Sequence, residues 1–406
     1  MRERVTFALL AVFATALLMV PLMAHLKDRS SWSDFMGFYA AARIFTRGAR
    51  SDLYNPSLQM SYQHSTFGRV EPTLVYNHAP YEMLIFGPLA YLPYPVAFLF
   101  WDLLNLLLLA TSLYLLKPYA ANFDTASRLF LTLVMLYPLL STLREGQDSI
   151  PLLLAFCVAF VSLKNDNEFA AGCAVAAGLF RFQFVLPFLV IFMVLKRWRF
   201  VLGALTVGIG LGLLSLALIG WSGARAYAEL LLTVTQQGRH YVPTIGMPNV
   251  RGFMETVFAS SVGRSYVGVM VAVSSVALIA WPIRKWAKLA WDPGQKTFDL
   301  LFSLSLVVSF LVSYHSFMHN LIFLALPILL LLDYCAAIGR SALSRRGLIL
   351  PLILLFVMTL FLNVEGGNRF AFLFVPLLWF AFAISEEIPR ARQQVGTVTV
   401  KAQSIA

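Results

Sequence analysis

Long apolar runs alternate along the chain with short polar breaks. VTFALLAVFATALLMVPLMA near the N-terminus and LIFLALPILLLL from Leu321 are the clearest, and runs close to 20 residues match the hydrocarbon thickness of a bilayer. Basic clusters sit beside these runs: Arg2/Arg4, Lys196/Arg197/Arg199, Arg284/Lys285/Lys288, Arg340/Arg345/Arg346 and Arg390/Arg392. Held in the cytoplasm, they orient the spans. The first run, Val5–Ala24, exceeds the 7–15 residues of a signal-peptide core and reads as an uncleaved span. It leaves the stretch from about His25 to Pro80 outside the cytoplasm. From the cluster at 196–199, spans are expected at about 200–220, 265–282, 297–313, 320–338, 348–363 and 369–385. Five more fit at about 81–93, 95–116, 129–143, 149–163 and 168–195.

This pattern predicts an all-α, polytopic transmembrane helical bundle of about twelve spans. One membrane domain covers residues 1–390, and 391–406 forms a cytoplasmic tail expected to be disordered. Three outer stretches follow: the first loop, about 221–264, and the segment around SYHSFMHN. Gly146–Asp148 falls on the cytoplasmic side, or outside if the count in the middle region is wrong. The first outer loop (about 25–80) holds most of the polar residues, and a long structured loop usually carries function. Within it GFYAAARIFTRG has helical apolar spacing with Arg43 and Arg47, as in an amphipathic helix lying in the membrane interface.

Composition agrees with this and excludes alternatives. The chain is 59% hydrophobic and 13% charged, against about 45–50% and 25% in soluble domains; mean hydropathy is +0.75. A soluble enzyme, a fibrous protein and a disordered chain are ruled out. The net charge of +11 is scattered in span-flanking clusters, not gathered on the one basic face that nucleic-acid binding needs. Cys157, Cys173 and Cys335 lie in apolar runs and read as small core residues. There is no Walker A sequence and no GxGxxG, so ATP-driven transport and nucleotide-cofactor chemistry lack a site.

A few polar residues stand where chemistry is possible. Asp34 follows the first span by about ten residues, between Trp32 and Phe35, which would lower the local dielectric and raise its pKa. The same position suits an N-cap of the following helix. His315 and His319 begin a late span on the same outer side, either as functional groups or as interfacial anchors. Their spacing also suits a metal pair, but no HExxH-type carboxylate accompanies them. Arg239, His240, Arg251 and Arg369 lie in outer segments; Asp102 and Arg181 lie at membrane depth, where charge is costly.

Five stretches in order resemble a known family: SDFMGFYAAARIFTRGARSDLYNP, YNHAPYEMLIFGPLAYLPYPVAFLFWDLLNLLLL, REGQDSIPLLLAF, FAAGCAVAAGLFRFQFVLPFLVIFMVLKRWR and SYHSFMHNLIFLALP. The succession, over about residues 1–340, resembles glycosyltransferase family 87, polytopic GT-C enzymes that include polyprenol-phosphate-mannose-dependent mannosyltransferases. The resemblance implies a GT-C fold and a catalytic base at Asp34. It also implies a second catalytic residue at His319, because Ser313, Ser316, Phe317 and His319 follow a Ser-Pro-x-Ser-Trp-x-His-like pattern in which Tyr314 replaces the proline and Asn320 a second histidine; His315 remains an alternative. Arg181 and Gln183 keep the basic and amide positions of a Lys-Pro-Gln-Pro-like motif, whereas Pro248-Asn249-Val250 departs from an Asn-Gln-Ser-like stretch.

The implied activity is inverting transfer of a hexose, mannose foremost, from a polyprenyl-phosphate-sugar to a glycan or glycolipid acceptor. It would take place on the extracytoplasmic face of the plasma membrane. Substrate contacts are expected from Arg43, Arg239, His240, Arg251, His315, Arg369, Arg181 and Gln183. Partners are then the bilayer, the lipid-linked donor and the acceptor, with no nucleic acid; a divalent metal is left open. A secondary transporter or lipid flippase is the competing reading, but such folds favour symmetrical halves with mid-membrane charges.

Overall fold

The computed structural model describes residues 33–68, 74–122, 125–241, 244–337, 342–362 and 369–403. The expected first span and Trp32 lie outside the described residues. Among these residues the chain is helical and has no strand. In order the helices are α1 (Phe35–Thr46), α2 (Pro56–Phe67), α3 (Met83–Leu89), α4 (Tyr94–Leu116), α5 (Thr125–Glu145) and α6 (Ser149–Lys164). Next come α7 (Glu168–Ala177), α8 (Phe182–Val194), α9 (Trp198–Tyr241), α10 (Val250–Val262) and α11 (Arg264–Trp286). The last are α12 (Lys296–Leu311), α13 (Ala325–Ala337), α14 (Ala342–Phe361) and α15 (Phe374–Gln403).

Five stretches are long and apolar enough to cross a membrane: Tyr94–Tyr119, Trp198–Thr233, Arg264–Trp286, Met318–Ala337 and Phe370–Gln393. They coincide with expected spans. Glu168–Ala177 and Leu179–Val194, bent by 61°, add a sixth if they act as one. Among the described residues the expected twelve are not reached, because several apolar helices are short. The segment expected to cross at about 81–93 holds the turn Pro80–Glu82 and α3, seven residues long, together about 15 Å against the roughly 30 Å hydrocarbon core. The expected outer loop at 221–264 is also largely helical. Helix α9 breaks at Gly220 (φ 70°, ψ 179°) and continues to Tyr241, and α10 follows. Helix α15 runs to Gln403, through most of the expected tail.

The chain forms two compact units: Met1–Ala110, Leu139–Pro151 and Gly208–Val242 in the first, Thr111–Pro138, Leu152–Val207 and Pro243–Ala406 in the second. In the first unit α1 is buried over almost its whole surface: Phe35 through Ala42, Ile44 and Phe45 are all covered. It is a core helix packed on nearly all sides, where an amphipathic helix with one uncovered face was expected. Its rings explain why: Phe38 stacks on Phe86 at 4.6 Å, and Phe35 meets Phe98 edge-on at 5.5 Å. Asn55 starts α2 by accepting hydrogen bonds from the Ser57 and Leu58 amides, with Pro56 in the first turn. Two buried glutamines on α2 then tie down residues 74–76. Gln63 donates to the Leu74 carbonyl (2.6 Å) and accepts its amide (3.1 Å), while Gln59 accepts the Tyr76 amide (2.8 Å). Side-chain amides thus satisfy backbone groups that have no helix or sheet partner.

In the second unit α12 is buried along its length. Three charged links fix its neighbours: Lys164 to Asp299 (2.7 Å), Lys296 to Asp333 (2.8 Å), and the Asn122 amide to Asp333 (2.8 Å). Helix α11 leaves Val269, Val273 and Val276 more than 60% exposed, an uncovered apolar face that suits hydrocarbon. Helix α7 and the start of α9 cross without a gap. A side chain added at Gly172 would strike the Phe200 carbonyl, and one at Gly203 the Phe169 carbonyl. Gly203→Leu should therefore cost about 1–3 kcal/mol or more, read as a lower thermal midpoint of the detergent-purified protein. An unchanged midpoint would mean that the two helices can separate freely.

Candidate functional site

Asp34 occupies the N-cap position of α1, yet its side chain makes no capping hydrogen bond. Ser33 takes that part: its Oγ accepts from the Phe35 amide (3.3 Å) and donates to the Glu145 carbonyl (3.1 Å). The Asp34 carboxylate instead accepts a hydrogen bond from Gln147 Nε2. The capping alternative therefore fails, and a half-buried carboxylate is held at the end of α1 by a neutral donor.

The turn after α5 presents that donor. Gly146 sits at φ +61°, and a Cβ there would lie 2.6 Å from the Phe35 Cβ and 3.0 Å from the Phe98 ring. Its carbonyl accepts from Trp101 Nε1 (2.9 Å), and the Gln147 amide bonds to the Thr142 carbonyl (2.9 Å). A side-chain bond between Asp34 and Gln147 requires both on one side of a membrane. This groups Gly146–Asp148 with the loop that carries Asp34, the arrangement expected if the count in the middle region is wrong.

Other expected residues of the first unit fare differently. Arg43 is half-buried and lies over the Tyr39 ring at 5.9 Å, nine positions from Asp34 and so about 13 Å further along the helix. Asp102 is buried on α4 at 2% exposure. Arg239 and His240 fall on the backbone of α9; their side chains lie outside the described residues.

The second unit gathers several of the expected cations. Asn249, fully buried, caps α10 by accepting from the Gly252 amide (2.8 Å) and donates to the Ser313 carbonyl (2.8 Å). It thereby ties the start of α10 to the segment 313–317. Arg251, the second residue of α10, is 8% exposed, pairs with Glu255 (2.9 Å) and lies over the Tyr314 ring at 4.0 Å. Tyr314 packs edge-on against His315 at 4.6 Å. Burial, with Arg251 and Arg181 next in effect, pushes the His315 imidazole down to about 3. Arg251, Arg181 and His315 therefore share one electrostatic neighbourhood. Arg251 Nη1 and Ser316 Oγ are both buried with no hydrogen-bond partner among the described residues. His319 is buried at 3% exposure in the turn Met318–Leu324. Gln183 is half-buried in the first turn of α8, whereas Arg369 is exposed at the start of Phe370–Leu373.

Sequence reasoning did not single out Gln147 or Asn249 as positioning groups. Both lay inside stretches it had quoted or compared. The family model described as glycosyltransferase family 87 matches residues 76–313, more than half of the chain. No curated protein and no solved structure matches it.

The shifted histidine makes a pH prediction. Folded His315 stays neutral down to about pH 3, while an unfolded histidine takes a proton near 6.5. The unfolded state binds more protons between these values, so the stability held by His315 falls as pH drops from about 6.5 towards 3. His315→Gln should flatten that acid loss in a plot of thermal midpoint against pH. A wild-type midpoint with the same acid slope as the variant would contradict the assignment.

Proposed function

The chain belongs to glycosyltransferase family 87 and is a glycosyltransferase, and from that premise we propose that it moves a hexose from a polyprenyl-phosphate-sugar to a glycan or glycolipid hydroxyl. The observation that carries this reading is the Asp34 carboxylate, turned away from its helix end and held by Gln147. The acceptor hydroxyl attacks the anomeric carbon of the donor and passes its proton to Asp34. The bond from that carbon to the phosphate oxygen breaks, with inversion, and polyprenyl phosphate leaves carrying one more negative charge. Mannose is the sugar that the family resemblance favours, and the extracytoplasmic face of the plasma membrane is the proposed location.

Leaving-group charge needs stabilising donors that are in place before the reaction. Arg251 and Ser316 supply buried, unsatisfied donors, and Arg181 adds charge to the same neighbourhood. Leaving such donors without an acceptor costs about 1–3 kcal/mol each, which phosphate oxygens would recover. His315, neutral at working pH, contributes hydrogen bonding and no charge. We assign His319 to the same phosphate-binding role. Family membership favours group transfer over the alternative of a secondary transporter or lipid flippase.

The test supplies the purified enzyme in nanodiscs with radiolabelled polyprenyl-phosphate-mannose or a nucleotide-mannose, alongside Arg251→Gln. Transfer is expected from the lipid-linked donor, with kcat in the variant reduced about 10²-fold and KM changed less. Transfer from the nucleotide-sugar alone would overturn the donor assignment, and an unaffected variant would remove Arg251 from the reaction.

A further inference from the structure

Close to the turn that holds Asp34, the first unit gathers a second set of polar groups that the transfer step does not use. His78 precedes the turn Pro80–Glu82, which leads into α3, and Asp148 directly follows Gln147. His78 Nδ1 lies 3.3 Å from a Glu82 oxygen and 3.4 Å from an Asp148 oxygen. All three donor atoms fall within 4.8 Å of one another. The side chains are well covered, at 12% exposure for His78, 3% for Glu82 and 4% for Asp148.

These separations are informative in both directions. One imidazole nitrogen carries at most one proton, so Nδ1 cannot donate to both carboxylates at once. At 3.3 and 3.4 Å both contacts are also longer than the usual 2.7–3.2 Å of an N–H···O bond. They do match the edges of a coordination shell: ligands bonded at about 2.0–2.1 Å around a tetrahedral centre stand roughly 3.3 Å apart. The imidazole is also oriented before any ion arrives. Phe38 packs edge-on against it at 4.6 Å, Tyr76 stacks at 5.6 Å, and the Tyr54 hydroxyl donates to the His78 carbonyl at 2.7 Å. Two covered carboxylates beside one imidazole also make a mixed oxygen and nitrogen donor set that a divalent cation can use.

We propose that His78, Glu82 and Asp148 bind a divalent transition-metal ion, with one nitrogen and two carboxylate oxygens as protein ligands and water in the remaining position. A borderline ion such as Zn²⁺ suits this donor set better than Mg²⁺, which prefers oxygen ligands and octahedral geometry. The ion ties residues 78–82 to the turn after α5. Because Asp148 adjoins Gln147, occupancy steadies the segment that presents the amide to Asp34.

Binding is measured on the ion alone, so the result does not depend on which sugar or lipid the enzyme uses. Full-length protein in nanodiscs is stripped with a chelator and titrated with Zn²⁺ against a chromophoric competitor, and with Co²⁺ for its visible spectrum. One equivalent per chain is expected, with the strong visible bands of tetrahedral Co²⁺. Glu82→Gln and Asp148→Asn, both isosteric, and His78→Ala should each weaken binding about 100-fold and abolish those bands. Hydrogen exchange at residues 76–82 and 144–149 should slow on Zn²⁺ addition in the wild type and not in Asp148→Asn. Folded wild-type protein that takes up no stoichiometric ion overturns the proposal, and so does equal binding in the variants. The wild-type stoichiometry and spectrum decide the question even if a variant does not fold.

Discussion

The turn from Glu145 to Asp148 is pinned against the start of α1, and the polar groups of the first unit take their places from that contact. Ser33 holds the Glu145 carbonyl, Trp101 holds the Gly146 carbonyl, and the Phe35 side chain fills the space where a Gly146 side chain would stand. Gln147 is thereby carried to Asp34. Magnitudes explain why the carboxylate gives up its helix end. A capping bond contributes about 1 kcal/mol, whereas a hydrogen bond to a charged group contributes about 1.5–3. With Ser33 already serving the Phe35 amide, little is lost. The outcome is an oriented carboxylate that spends no oxygen on its own helix terminus.

The second unit follows a different logic. Its buried ion pairs, such as Lys164 with Asp299, are weak evidence for stability, because desolvation offsets most of their attraction. What they do is set the register of α12 against α6 and α13. Around Arg251 the balance is incomplete: Glu255 takes one nitrogen, the Tyr314 ring covers the guanidinium face, and Nη1 has no hydrogen-bond partner among the described residues. A neutral His315 beside it keeps the positive charge on the arginines.

Much of the helical layout was legible in the sequence. Tyr94–Tyr119 and Arg264–Trp286 are apolar over lengths that few other structures use. The reading failed where prolines and glycines interrupt an apolar run, as with Gly87, Pro88 and Pro93 around α3. Counting a crossing there separated Gly146–Asp148 from the Asp34 loop and hid Gln147 from the site. Asp34 was legible because a carboxylate after an apolar run is conspicuous, but its hydrogen bond was not, since Gln147 is 113 positions away. Gln59 and Gln63 were invisible for a related reason. Their partners are backbone groups 11 and 17 positions downstream, which no side-chain pattern records. Asn249 appeared only as a departure from a family stretch, although its two hydrogen bonds place Arg251 beside Tyr314.

The central claim is that Asp34 accepts a proton during transfer and is not there to cap α1. Steady-state transfer by purified Asp34→Asn tests it most directly, since the amide keeps the size of the side chain and removes its basicity. The account predicts a fall in kcat of about 10²–10⁴-fold, with near-normal expression and a thermal midpoint lowered only by the weaker, uncharged hydrogen bond to Gln147, about 1 kcal/mol. Wild-type turnover in that variant would contradict it.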